Sequence, residues 1–169
     1  FEEAMIFLEK AADKGYPAAQ QGLGRLYHYG DKDRDDDIAQ DYKTAEKWFR
    51  KAAEQGYVEA QYSMAFIYNR GEGVTRSYPE ALKWLRKAAQ QEHGDSQVLR
   101  GEVYVNGKGV AKDPSEALKW FRKAAEKGDV MAQTNLAVMY DGELGVRQNQ
   151  AERARWNRRA AEQGSSKGQ

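Results

Sequence analysis

One short string occurs four times in this chain: KAADKG at 10–15, KAAEQG at 51–56, KAAEKG at 123–128 and RAAEQG at 159–164. Its spacing constrains the fold more than any other feature. The second position is held by Ala11, Ala52, Ala88, Ala124 and Ala160, separated by steps of 41, 36, 36 and 36. Other columns keep the same register: Phe7, Trp48, Trp84, Trp120, Trp156; Gln20, Gln61, Gln97, Gln133, Gln169; and Tyr27, Tyr68, Tyr104, Tyr140. A catalytic site needs its residues once, whereas a structural joint needs them at every joint. A fixed period of this length marks an array of small units, none able to bury its apolar face alone, so that neighbours must stack. The five extra residues of the first step fall in DKDRDDDIAQD at 31–41.

Each unit reads as two helices. In YKTAEKWFRKAAEQG, residues Ala45, Trp48, Phe49, Ala52 and Ala53 follow the i, i+3, i+4, i+7, i+8 pattern of one apolar face. Asp41, Ser77, Asp113 and Asn149 share the column just before this helix, and all are good N-cap types. Glu80, Glu116 and Glu152 follow three residues on, the spacing of a capping box. Pro79 and Pro114 lie in the first turn, where a missing N–H costs least. Gly15, Gly56, Gly128 and Gly164 stand where the helix should stop. The second helix is shorter, with Ala60, Met64, Ile67 and Tyr68 as its inward stripe. A column of Gly24, Ala65, Gly101 and Ala137 lets a neighbouring helix come close, and GEGV or GKGV turns the chain back. The recurring string is therefore the end of one helix and its stop. The expected architecture is all-α: an α/α superhelical solenoid of helix-turn-helix repeats, with nine helices and a short final stub.

The units run over 1–15 (partial), 16–56, 57–92, 93–128 and 129–164, with 165–169 opening a further one. The chain is read as part of a longer array. Phe1 falls one residue after an expected N-cap, and GSSKGQ at the end matches the start of another short helix.

The pattern A-Q-x-x-x-[small]-x-x-Y-x-x-G-x-G-V, followed by A-x-x-W-[LF]-R-K-A-A-E-x-G, resembles the Sel-one-like repeat family, relatives of the tetratricopeptide repeats. The likeness covers nearly the whole chain. It implies an α/α superhelix and adaptor-type protein binding, and it does not name the partner. Unit three departs from the pattern twice. Glu92 stands at the stop-glycine position with Gly94 two residues late, so an irregular joint is expected near 92–96. Arg100 replaces the apolar residue found as Leu23, Met64 and Leu136, which points to local exposure. Some secreted members carry paired cysteines in each repeat; this chain has no cysteine and is not of that branch.

Composition and motifs narrow the chemistry. The net charge of +1 argues against a dedicated nucleic-acid or membrane-surface protein. No apolar run approaches the roughly 18 residues of a membrane span. With no cysteine there is no disulfide framework, thiolate zinc site or thiol nucleophile. Gly71-Glu72-Gly73 and Gly107-Lys108-Gly109 lack the G-K-[ST] spacing of a phosphate loop and read as turns. His28 and His93 lie in different units, without a zinc-binding pattern. No serine-hydrolase motif is present. Lys47, Lys83, Lys119, Arg155 and Arg50, Arg86, Arg122, Arg158 form cationic columns, but acidic residues three or four positions away make them a solvated, self-paired face. Asp31, Asp33, Asp35 and Ile38 imitate the start of a calcium loop. Asp36 and Tyr42 then occupy the glycine and closing-Glu positions, so a solvated, mobile acidic loop is expected.

The resemblance also implies that the shorter, Tyr-bearing helices line a concave face. Residues on these helices that point away from the core stripe are the candidate partner-binding set: Gln21, Arg25, His28 and Tyr29; Tyr62, Phe66, Asn69 and Arg70; Val98, Glu102, Val105 and Asn106; Thr134, Val138 and Asp141. Several are too apolar for plain solvent, and their columns are expected to merge into one strip. The expected function is a monomeric scaffold or adaptor holding a protein or peptide in that groove. No catalytic residue, metal or cofactor is assigned, and neither nucleic acid nor membrane insertion is expected. The alternative is a non-catalytic regulatory or inhibitor module attached to an enzyme domain elsewhere in a longer chain. A bacterial periplasm or cell exterior is the working compartment.

Overall fold

The computed structural model describes residues 2–30 and 38–166. Nine helices make up the regular structure among them: α1 (Glu2–Asp13), α2 (Pro17–Tyr29), α3 (Tyr42–Glu54), α4 (Val58–Arg70), α5 (Tyr78–Gln90), α6 (Gly94–Asn106), α7 (Pro114–Glu126), α8 (Val130–Met139) and α9 (Gln150–Ser166). The acidic stretch 31–37, and with it the calcium-loop pattern and the loop expected there, lies outside the described residues. The chain divides into two compact units, residues 1–91 with α1 to α5 and residues 92–169 with α6 to α9. In the first, α2 packs on α1 and α3, and α4 packs on α3 and α5. In the second, α7 packs on α6 and α8, and α8 packs on α9.

The helix starts follow the capping columns. Asp41 Oδ1 accepts the N–H groups of Lys43 and Thr44 at 3.0 and 3.1 Å. Ser77, Asp113 and Asn149 accept those of Glu80, Glu116 and Glu152. The glutamates do not close the box. They face Lys83, Lys119 and Arg155 at 3.5, 3.0 and 3.3 Å, the self-pairing the spacing implied. Glu116 and Glu152 also accept the indole N–H of Trp120 and Trp156 at 2.9 and 3.0 Å. Lys119, then Trp120, hold the Glu116 carboxyl below its usual range. The second cationic column reaches across its hairpin: Arg50 donates to Glu46 and to the Tyr68 hydroxyl, and Arg122 to the Tyr140 hydroxyl. Burial works against the Arg50 charge, but these two partners outweigh it and raise its pKa.

The paired alanines end the helix through their carbonyls. Tyr57 N–H bonds to Ala52 O and Gly56 N–H to Ala53 O, both at 3.1 Å, the two bonds of a Schellman stop. The same pair of bonds recurs at Gly15–Tyr16 and at Gly128–Asp129. The glutamine column then supplies a bond that its sequence position did not disclose. Gln20, Gln61 and Gln133, all buried, donate Nε2 to Ala12 O, Ala53 O and Ala125 O at 3.0, 3.2 and 3.2 Å. Each locks the second helix onto the end of the first. In the first unit a further column continues the chain of bonds: Gln55 donates to Gln20 Oε1 and Gln91 to Gln61 Oε1, at 2.7 and 2.8 Å. Gln97 is 0% exposed, yet neither atom of its amide has a partner among the described residues.

The core corrects the expected place of the tryptophans. Trp84 and Trp156 are buried, Trp48 and Trp120 are half-buried, and Phe7 is 73% exposed. In three repeats the more deeply set side chain is at the next position along the helix: Phe49, Leu85 and Phe121 are each 2% exposed or less. These residues sink because the small column opposes them. A Cβ on Gly24 would lie 2.3 Å from the Phe49 ring, and one on Gly101 would lie 2.5 Å from the Phe121 ring. Where Ala65 replaces glycine, Leu85 replaces phenylalanine and both are buried; where Ala137 does, the matching position is the exposed Asn157. Arg100 is half-buried rather than splayed into solvent; its guanidinium stacks 3.9 Å from the Trp120 ring.

Two further expectations meet different outcomes. At 92–96 the helix end keeps the common register, α5 stopping two residues before Glu92 as α3 does before Gly56 and α7 before Gly128, while the turn itself departs from the pattern as expected. Glu92 itself takes the left-handed turn, φ 66°, where those glycines have φ 89° and 95°. A side chain there is strained. Its carboxylate lies 3.0 Å from Lys127 Nζ and 3.9 Å from Lys123 Nζ. Gly164 does not stop its helix: α9 runs on to Ser166, and no separate stub is seen among the described residues. Glycine permits a left-handed turn without imposing one.

Candidate functional site

The outward faces of the Tyr-bearing helices form a separate surface in each unit. In the first unit it spans α2 and α4. Tyr62 and Phe66 are half-buried, one turn apart on α4, with ring centroids 6.5 Å apart. The Arg70 guanidinium sits 4.3 Å from the Phe66 ring and 3.5 Å from Glu72. Arg25 and Tyr29 are exposed on α2, and Asn69 is half-buried.

Two of the candidates in this unit are buried. Gln21 donates to Ser63 Oγ at 3.1 Å and so ties α2 to α4. His28 lies among the rings of Tyr29, Tyr42, Phe49 and Phe66, with centroid distances of 4.6 to 6.1 Å. Its Nε2 is 2.7 Å from Glu72 Oε2, in the turn that follows α4. These contacts make His28 a brace between helix and turn. Gly73 brings that turn against α3, since a Cβ there would meet Tyr42 O at 2.3 Å and its φ is 75°.

In the second unit the surface spans α6 and α8 and contains a cavity of about 200 Å³. Glu102, Val105, Asn106 and Val138, all expected from the sequence, line it. Phe121, Asn135, Met139 and Leu144 complete the wall, and sequence reasoning missed them. The polar groups of the cavity are under-used. The Glu102 carboxylate has no hydrogen-bond or ion-pair partner among the described residues, and burial pushes its pKa up, with Lys108 pulling weakly the other way. Asn135 Nδ2 is buried and has no acceptor. The remaining candidates are less available. Val98 is 6% exposed in the core, Asp141 pairs with Arg153 at 2.6 Å, Thr134 Oγ1 bonds back to Val130 O, and Asn106 Nδ2 donates to Glu102 O.

A larger cleft of about 400 Å³ lies between α7 and α9, lined by Arg122, Glu126, Glu152, Arg155, Trp156 and Arg159 among others. Within it Arg155 pairs with Glu152, and Arg122 donates to the Tyr140 hydroxyl. No group of His, Asp and Glu able to hold a metal occurs among the described residues. No helix among them is long and apolar enough to cross a membrane.

Comparison with known proteins agrees with this architecture. The Sel1 repeat family matches residues 1–16, 17–57, 58–93, 94–129 and 130–165. No curated protein matches the chain. Among solved structures, c5321, described as a protective antigen of uropathogenic Escherichia coli strains with an SLR fold, is 40% identical with a TM-score of 0.86 over 95% of this chain and 33% of that one. A Sel1 repeat protein from Oxalobacter formigenes is 35% identical with a TM-score of 0.84 over 97% of this chain and 65% of that one. Cysteine rich protein B of Helicobacter pylori shares the fold at 21% identity and a TM-score of 0.58, over 78% of this chain and 90% of that one. The chain thus spans a third of the first relative and just under two thirds of the second. Proteins of this type are generally interaction scaffolds. With its helical hairpins, its alanine–glycine joints and matches from end to end, the chain belongs to the Sel1 repeat family.

Proposed function

We propose that this chain is a non-catalytic scaffold that binds a protein or peptide partner on the outward faces of its Tyr-bearing helices. One observation carries the reading. These helices keep apolar side chains half-exposed after their core stripes are complete: Tyr62 and Phe66 beside Met64 and Ile67, Val105 and Val138 beside Leu136. Such side chains can anchor an extended segment, with Arg25 and Arg70 fixing charge at the rim. The Trp-bearing helices, taken as the outer ones, carry self-paired charges instead.

The test is selection of random dodecapeptides against the chain, with binding mapped by NMR on labelled protein. Selected peptides should move the signals of Tyr62 and Phe66 or of Val105 and Val138. Tyr62→Ala and Phe66→Ala should weaken peptides mapped to the first unit at least about tenfold while leaving helicity intact. Lys47→Ala on the outer helix should not. Peptides that move only outer-helix signals would sink the proposal.

A further inference from the structure

We propose that the cavity between α6 and α8 receives the lysine or arginine side chain of an extended peptide, Glu102 taking its charge and Asn135 Nδ2 donating to its backbone carbonyl. This rests on the binding reading above and names the chemistry of its ligand. Size comes first. A cavity of about 200 Å³ is below the roughly 300–1,000 Å³ of most small-molecule sites and suits one side chain. Shape and polarity follow. Val105, Phe121, Val138, Met139 and Leu144 give an apolar wall for an aliphatic stem. A carboxylate stands in the same wall.

The sign of the charge decides between occupants. Glu102 is half-buried and unpaired, an arrangement that costs free energy until a cation arrives. Lys108, in the turn after α6, acts on it only at a distance and forms no ion pair with it. An acidic or C-terminal carboxylate ligand would be repelled, and a purely apolar one would leave the carboxylate desolvated and uncompensated. Asn135 supplies the second requirement. A buried amide N–H without an acceptor is uncommon in folded proteins, and a peptide backbone carries an acceptor at every residue.

The experiment uses three small probes: the N-acetyl methylamides of lysine, norleucine and glutamate. Each is titrated into isotopically labelled protein and followed through the Val105 and Val138 methyls and the Asn135 side-chain amide. The lysine probe should shift all three signals and bind about tenfold more tightly than norleucine, the gain expected of a charge-assisted bond. The glutamate probe should be weakest. Glu102→Gln, checked by circular dichroism for unchanged helicity, should remove the preference for lysine, weakening the lysine probe and leaving norleucine bound at least as tightly as before. Lys119→Ala should change nothing. Equal binding of lysine and norleucine would overturn the charge assignment while leaving the groove reading intact. A lysine probe that shifts only the cleft around Trp156 and Arg159 would place the site elsewhere. No shift at Val105 or Val138 at any concentration would refute the pocket, and the selected dodecapeptides would still judge the groove separately.

Discussion

Replacing Gly101 by alanine tests the packing rule that sets the spacing of the helices. The added Cβ would stand 2.5, 2.7 and 2.8 Å from three atoms of the Phe121 ring. Carbon atoms at rest lie about 3.5–4.0 Å apart, so the ring must retreat by about 1 Å. Phe121 is 2% exposed, so its ring can retreat only by displacing packed neighbours or by giving up its place in the wall of the α6–α8 cavity. Overpacking of this kind costs about 1–3 kcal/mol. Alanine also favours the helix over glycine by about 0.8–1.0 kcal/mol. The net expectation is a loss of up to about 2 kcal/mol, from the difference of those two terms. Gly22→Ala is the control, because its Cβ would meet Leu8 Cδ1 at an ordinary 3.4 Å and should gain stability. Phe121→Leu alone should cost about 1 kcal/mol or more through the cavity it leaves. The double variant, which imitates the Ala65 and Leu85 pairing, should be more stable than the sum by about 1 kcal/mol or more. Urea unfolding followed by circular dichroism would read all four. Gly101→Ala as stabilising as Gly22→Ala, or additive energies in the double variant, would refute the reasoning.

Trp84→Ala should cost about 3–5 kcal/mol and Trp120→Ala clearly less, since only the first is fully enclosed; thermal melts compare them directly. Gln97→Met should raise stability by about 1 kcal/mol, because it removes a buried amide with no partner, whereas Gln61→Met should lower it by breaking bonds to Ala53 O and Gln91. Glu102→Gln should raise the melting temperature at neutral pH. The pKa of Glu102 in the folded chain is raised, so its ionisation opposes folding as pH rises through that value, and the benefit should vanish below the ordinary Glu range near 4.5.

Period, caps and stop residues were legible in the sequence because they act within a few positions of themselves. Ser77 and Asp113 receive the N–H bonds their places imply, and Gly56 takes the turn its place implies. Which of two adjacent aromatics goes deepest was not legible. Trp120 and Phe121 differ by 100° around the helix, and the choice is made by Gly101 on another element. The glutamine column was visible as a column, yet its bonds reach eight residues back and about thirty-five forward, distances that only the folded hairpin closes. In the cavity, Val105 and Val138 stood out as apolar residues on the outward side of a stripe, and Glu102 was placed there by register. Asn135 carried no such mark, lying beside Leu136 on a short helix with weak periodicity. Gln21, His28 and Val98 were placed outward by register, but Ser63 on α4 holds the first, aromatic rings and the turn after α4 enclose the second, and the core of the second unit takes in the third.

The pairing of Gly24 with Phe49 and of Gly101 with Phe121 bears on how such an array changes length over generations. Both members of each pair lie inside one repeat of the family, 17–57 or 94–129. Copying or deleting a whole repeat therefore carries the hollow and the ring that fills it together, and the new hairpin arrives already fitted. A crossover between α6 and α7 would instead join one repeat's hollow to another repeat's ring. Phenylalanine against alanine would clash, and leucine against glycine would leave a void. Genetic exchange should then be tolerated at the turns before α2, α4, α6 and α8, and selected against within the hairpins.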